Sequence, residues 1–382
     1  MKKESDFKTL CVHAGELKDN EHGGAISPLY MSTSYKFNDV EINQYPRYFN
    51  TPNQRSLSKK IAALEGADAG LIFSSGMAAI STALLAHLEP GDHVVFQNDL
   101  YGGTRNFVKK EFSKYGIDFS FSGGTGINDF AKEIRTNTKG IYIETPSNPT
   151  LKIIDLALIS ELANDYKIWT MIDNTFASPV NQNPIEFGID IVLHSATKYL
   201  GGHSDISAGA VVGSESSIDL IFNSAKNFGG NLSDYTVWLL ERSIKTLYLR
   251  VQAQNNNAFS LARFLENESW VRKVYYPGLT KHPKHKIAKK QMKAFGGMLS
   301  FDLVKELDCK KFLLGLELVK PTMSLAGIES SALSPRLTSH ALLTEEERKT
   351  QGIGSQMVRF SAGIESIDDL KKDLIQTVSK QK

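Results

Sequence analysis

The stretch GIYIETPSNPTLKIIDLALISELANDYKIWTMID, residues 140–173, carries two β-rich runs with a helical run between them. The outer runs, GIYIE and IWTMID, are short and rich in β-branched and aromatic residues, the composition of strands. Between them Leu156, Ile159, Leu162 and Ala163 recur at helical spacing, and Asp155 stands where it can cap the helix start. Strands alternating with a helix of this length imply a mostly parallel sheet with crossover connections. GLIF, HVVF, IDFSF and IDIVLHS continue the pattern on either side, with MAAISTALLAHL as a further helix. The expected fold class is α/β, and in such folds ligands gather at the carboxyl ends of the strands.

Outward from this centre the texture changes twice. Residues 1–48 show no sustained periodicity and carry glycine and proline punctuation in HGGAISPLY, which reads as an extended N-terminal arm. Residues 49–244 form the large domain. Residues 245–382 read as a smaller C-terminal α/β domain, with strands at GGMLSFDL and MVRFSAGIE and a helix at CKKFLLGL. One long helix is expected through TVWLLERSIKTLYLRVQAQNNNAFSLARFLEN, and Ser366 with Asp369 suggests a capping box before the last helix.

The totals bound the function. The chain has 382 residues with a net charge of +2, which leaves no electrostatic footprint for nucleic acid. Cys11 and Cys309 are far apart in sequence, form no CxxC pair and suit a reducing compartment. No apolar run reaches about 18 residues, so no membrane span is expected. The start MKKESDFKTLCVHAG lacks the apolar segment of a signal peptide, and a cytoplasmic protein is expected. His282 and His285 sit in a lysine-rich stretch without an evident third ligand, so a solvated basic face is expected there and no metal site. SGGTG at 122–126 lacks the dinucleotide fingerprint and reads as a surface turn.

Four local features converge. Asp173 ends the run IWTMID, and Lys198 follows IDIVLHS in HSATKYLGGHSD. An acid and a lysine at neighbouring strand ends suit pyridoxal phosphate: the lysine forms the Schiff base, and the acid keeps the ring nitrogen protonated. The same pair alone is also what a structural ion pair would give. SSGMAAI follows the strand GLIF, so Gly76 and Met77 can offer backbone N–H groups to a phosphate, with Ser195 and Thr197 adding hydroxyls. Tyr101 in NDLYGGT can stack on a flat ring, or fill a core. Arg359 lies inside the apolar strand MVRFSAG, a costly place for a cation unless it meets an anion.

With ETPSNPT, DNTFASP and HSATKYLGGHSD together, the chain resembles the Cys/Met-metabolism family of pyridoxal-phosphate enzymes over nearly its whole length. The resemblance implies a fold-type I, aspartate-aminotransferase-like architecture and a homotetramer built from dimers that share active sites. It implies that Lys198 and Tyr101 are catalytic and that Asp173 is the ring-nitrogen partner. Gly76, Met77, Ser195 and Thr197 match phosphate contacts, and Tyr45 and Arg47 match the pair reaching a neighbour's phosphate. Asn148, the Ser324 backbone and Arg359 match the substrate-carboxylate side. The implied activity is a carbon–sulfur lyase acting on a sulfur amino acid.

Three positions depart from the family pattern. Gly103 stands two residues after Tyr101, where methionine γ-lyases typically carry cysteine. Met323 precedes Ser324, where cystathionine γ-synthases and many γ-lyases carry glutamate, and a thioether cannot pair with a distal ammonium group. Asn50 is followed by TPN rather than the usual NPT pattern, so a reshaped loop is expected. These departures favour β-elimination of cystathionine to homocysteine, pyruvate and ammonia, with γ-elimination next. The alternatives are cystathionine γ-synthase, a homoserine-ester sulfhydrylase and methionine γ-lyase.

Overall fold

The structure, a computed structural model, describes residues 5–341 and 343–381. The first residues of the expected arm lie outside this set. Seven strands form the larger sheet: β1 (Ala69–Phe73), β2 (His93–Phe96), β3 (Asp118–Phe121), β4 (Thr138–Glu144), β5 (Trp169–Asp173), β6 (Ile191–His194) and β7 (Gly209–Gly213). Their order is β1-β7-β6-β5-β4-β2-β3. The pairs β3–β2, β2–β4, β4–β5 and β5–β6 are parallel. β7 was not anticipated from the sequence; it lies antiparallel between β6 and β1. Two reversals return β1 to the direction of β6, so the carboxyl ends of β1, β4, β5 and β6 meet along one edge.

The helix Leu156–Tyr166 forms as its spacing predicts. It buries Leu156, Ile159, Leu162 and Ala163, and Asp155 accepts the Leu158 N–H at 3.4 Å. The smaller sheet is antiparallel throughout, with β8 (Val271–Tyr275), β9 (Met298–Leu303), β10 (Ser331–Leu333) and β11 (Met357–Ser361) in the order β10-β11-β9-β8. Separate cores serve the sheets: Ile141, Ile143, Ile172 and Val192 lie in one, and Leu299, Phe301, Val358 and Phe360 in another.

Three local expectations are corrected. The long helix is two, Asp234–Ile244 and Leu247–Leu265. Thr246 leaves helical geometry at φ −103°, ψ 7°, and the buried Arg250 donates to the Ser243 carbonyl at 2.9 Å, which satisfies an acceptor freed by the break. Ser366 begins the last helix but makes no side-chain cap bond. Near the N-terminus, Phe7–His13 is a helix that buries Cys11, although the sequence shows no periodicity there. Its last carbonyls are bound by a fully buried lysine: Lys60 Nζ donates to the Cys11 and Val12 carbonyls at 3.2 Å. After it come exposed apolar side chains, among them Ile26, Met31, Phe37 and Tyr45.

The altered loop after Tyr45 is tied down. Asn50 accepts the Tyr45 N–H at 2.9 Å and donates to the Asn43 carbonyl at 3.0 Å. Thr51 and Gln54 then form a capping box that opens the helix Pro52–Glu65. His282 and His285 each place a ring nitrogen against a backbone carbonyl, of Leu151 at 3.1 Å and Pro277 at 2.8 Å.

Candidate active site

Lys198 lies four residues beyond the end of β6, in a turn closed by Gly201 N to the Ala196 carbonyl and Gly202 N to the Lys198 carbonyl. Its amine donates to Ser324 Oγ at 2.6 Å. Burial, helped by the Arg359 charge, pushes the amine down to about 8. Asp173 ends β5 and is buried. Burial raises its carboxyl, against the hydrogen bonds it accepts from Thr175. A cationic ring nitrogen beside it would restore the charge.

The helix Gly76–Ala86 opens at the same edge, directly after β1. Ser75 caps it by accepting the Ala78 N–H at 3.1 Å, while the Gly76 and Met77 N–H groups have no acceptor among the described residues. A Cβ on Gly76 would lie 2.8 Å from Ser195 Cβ, so glycine is what lets the helix start close against the Lys198 turn. Thr197 bonds within its own turn. Its hydroxyl donates to the Ala208 carbonyl at 3.1 Å and accepts the Ala208 N–H at 3.0 Å, so it serves the turn itself.

On the other side stands Arg359, from β11 and 4% exposed. Its guanidinium donates to Asn148 Oδ1 at 3.2 Å and to the Ser324 carbonyl at 2.8 Å. It makes no salt bridge among the described residues. Burial lowers it to about 10. A buried cation held only by neutral oxygens is a receptor for an anion. Ser324 has φ 78°, a left-handed conformation, which turns its carbonyl to Arg359 and its hydroxyl to Lys198. A cavity of about 330 Å³ adjoins this corner, lined in part by Thr197, Met323 and Ser324.

Tyr101 is 42% exposed and begins the helix Gly102–Glu111. A Cβ on Gly103 would lie 2.5 Å from Tyr101 Cε1, so the glycine leaves the ring its place. Tyr45 and Arg47 do not join this cluster. Arg47 donates to the Lys226 carbonyl at 2.7 Å and lies over the Tyr45 and Tyr48 rings.

Sequence reasoning missed the supports beneath the site. Glu65, from the helix Pro52–Glu65, accepts His194 Nε2 at 2.5 Å and Asn174 Nδ2 at 2.9 Å, and all three residues are buried. His194 precedes Ser195 and Asn174 follows Asp173, so this carboxylate joins the ends of β5 and β6. Their place in the quoted motifs was visible, but Glu65 lies far off in sequence and no spacing announces it. Glu144, at the end of β4, was also passed over as a strand residue.

A desolvated lysine amine, an acid at a parallel strand end, two free N–H groups and a buried arginine define a cofactor-dependent enzyme that handles amino acids. The chain belongs to the Cys/Met metabolism PLP-dependent enzymes, whose family model matches residues 8–379. It is 42% identical to a cystathionine beta-lyase of Lactococcus lactis subsp. cremoris (strain MG1363), across 99% of this chain and 100% of that one. It is 42% identical to a cystathionine gamma-lyase of Bacillus subtilis (strain 168), across 97% and 98% of the two chains. A crystal structure of cystathionine gamma-lyase from Lactobacillus plantarum complexed with L-serine superposes with a TM-score of 0.95 at 37% identity, covering 98% of this chain and 99% of that one. The cofactor is pyridoxal phosphate, and the free N–H pair, the desolvated lysine and the buried acid fit it. No helix among the described residues is long and apolar enough to cross a membrane.

Proposed function

We propose that the protein is a carbon–sulfur lyase that cleaves cystathionine by β-elimination, and that the residues above divide the work as follows. The single observation that carries the amino-acid reading is Arg359, a buried cation between Asn148 and Ser324 whose natural complement is a substrate α-carboxylate. The Gly76 and Met77 N–H groups and the Ser195 hydroxyl would hold the cofactor phosphate, with Thr197 fixing their turn. Asp173 would pair with the ring nitrogen, and Tyr101 would pack on the ring. When bound, pyridoxal phosphate supplies an electron sink for the pair left on the substrate Cα.

The neutral amine of Lys198 would take the Cα proton. Its pKa of about 8 leaves a usable neutral fraction near neutral pH, where an ordinary lysine would be almost wholly protonated. Ser324 Oγ, at 2.6 Å, steers that amine. The preference for β- over γ-elimination rests on Met323, which is 67% exposed beside Ser324 and offers no charge to a distal ammonium group. Transferase chemistry on the same scaffold, as a cystathionine γ-synthase or a homoserine-ester sulfhydrylase, is the second reading, and net synthesis from an activated homoserine and a thiol would reveal it.

Residues 1–48, with Tyr45 and Arg47 at their end, serve as an arm that completes the site of a neighbouring copy. Residues 49–244 bind the cofactor, and residues 245–382 supply Ser324 and Arg359. The exposed apolar side chains of the arm support this, as does the position of Arg47 away from Lys198. A homotetramer in the cytoplasm is the assembly and place this reading implies.

The test is Lys198→Ala. The variant is expected to lose the covalent link to the cofactor, seen as loss of colour after denaturation and gel filtration of borohydride-reduced protein, and to lose turnover. Full elimination activity in Lys198→Ala would sink the assignment.

A further inference from the structure

Glu144 is the last residue of β4 and pairs in register with Asp173, the last residue of β5. Both side chains are buried. Glu144 forms no salt bridge among the described residues, and burial, then the Asp173 charge, raise its carboxyl well above the usual carboxylate range. A buried acid beside another acid is costly, so what it holds is informative. Its Oε2 accepts the Tyr101 N–H at 2.8 Å, and its Oε1 accepts the Asn148 N–H at 3.0 Å. These two residues come from different loops, one after β2 and one after β4. Tyr101 begins its helix without a side-chain cap, so this bond is what ties its backbone to the sheet. Asn148 in turn receives Arg359 Nη1 at 3.2 Å. The Glu144 backbone is itself fixed, because its N–H donates to Gln97 Oε1 at 2.8 Å in the first of those loops.

We propose that Glu144 is a positioning residue for the reaction: one carboxyl group sets the spacing between the ring-packing Tyr101 and the carboxylate-holding Asn148–Arg359 pair. This rests on the roles given above to Tyr101, Asn148 and Arg359. An amide cannot replace it, since its NH₂ would face one of the two N–H groups and release one loop. Aspartate keeps both acceptors but is shorter by one methylene and cannot span both donors.

The experiment compares holoenzymes of wild type, Glu144→Gln, Glu144→Asp, Asn148→Ala and the Glu144→Gln/Asn148→Ala double variant. The assay uses cystathionine or whichever S-substituted cysteine the wild type turns over. Failure of wild type on cystathionine would therefore count against the proposed substrate and leave this test standing. Both Glu144 variants are expected to keep their cofactor absorbance, lose about tenfold or more in kcat/KM, and change the visible circular dichroism of the bound cofactor. The double variant is expected to lose less than the product of the single losses, because part of what Glu144 does is to place the Asn148 side chain against Arg359, and Asn148→Ala removes that side chain while keeping the backbone N–H that Glu144 binds. Wild-type kinetics and dichroism with only a lowered Tm would overturn the proposal, as would a fully multiplicative double loss. If neither Glu144 variant yields folded holoenzyme, the role is structural and the proposal fails.

Discussion

Arg359 shows how one side chain can be read at both stages. In the sequence it is a cation in an apolar strand; in the structure it is 4% exposed and meets two neutral oxygens. Arg359→Lys keeps the charge but loses the fork that fixes the plane of a carboxylate. A loss of about 2–4 kcal/mol in transition-state stabilisation is expected from kcat/KM on cystathionine, with cofactor absorbance unchanged. Wild-type kcat/KM, or loss of cofactor without a kinetic defect, would make the arginine structural. Lys198, Asp173 and Arg359 were legible because each breaks the composition of its surroundings. Glu144 and Glu65 were not: the acid of GIYIE ends a strand as many acids do, and the partners of both are assigned only by strand register and helix packing. The hydroxyl of Ser324 was also missed, since its reach to Lys198 depends on a left-handed backbone that the sequence around it does not demand.

At the scale of elements, the segment after the 3-10 helix Pro335–Leu337 buries His340 within reach of the Arg359 charge. The imidazole is 1% exposed, and its Nε2 has no partner among the described residues. Burial first, then the charges of Arg359 and Arg348, push it down to about 4. The unfolded chain takes up this proton near 6.5 and the folded chain only near 4, so between these values the unfolded state binds more protons. Stability from this residue is complete above pH 6.5 and falls as the pH drops toward 4, by up to about 3 kcal/mol. Urea titrations of wild type and His340→Gln across that range measure it. The slope is expected to be shallower in the variant, and equal slopes would exclude the effect. The same scale shows what periodicity could deliver. Helix Leu156–Tyr166 followed from four apolar positions, whereas β7, GAVVG, is too small and glycine-rich to stand out, and the Thr246 break depends on Arg250 reaching back to Ser243.

For the whole molecule, the α/β class and the parallel centre were legible from strand and helix alternation. The antiparallel return through β7 was not, because strand order across a sheet leaves no local mark. The arm is where a single chain looks incomplete: Tyr45 is 44% exposed and Phe37 81%. If Tyr45 and Arg47 complete a neighbour's phosphate site, mixing Arg47→Ala with Lys198→Ala chains should restore activity, since each mixed dimer regains one intact site. No recovery above the parents after verified subunit exchange would exclude sharing. The central proposal is β-elimination from cystathionine beside an uncharged Met323. The most direct measurement is to incubate wild-type holoenzyme with cystathionine and identify the keto acid. Pyruvate with homocysteine is expected; 2-oxobutyrate with cysteine as the main products would contradict it.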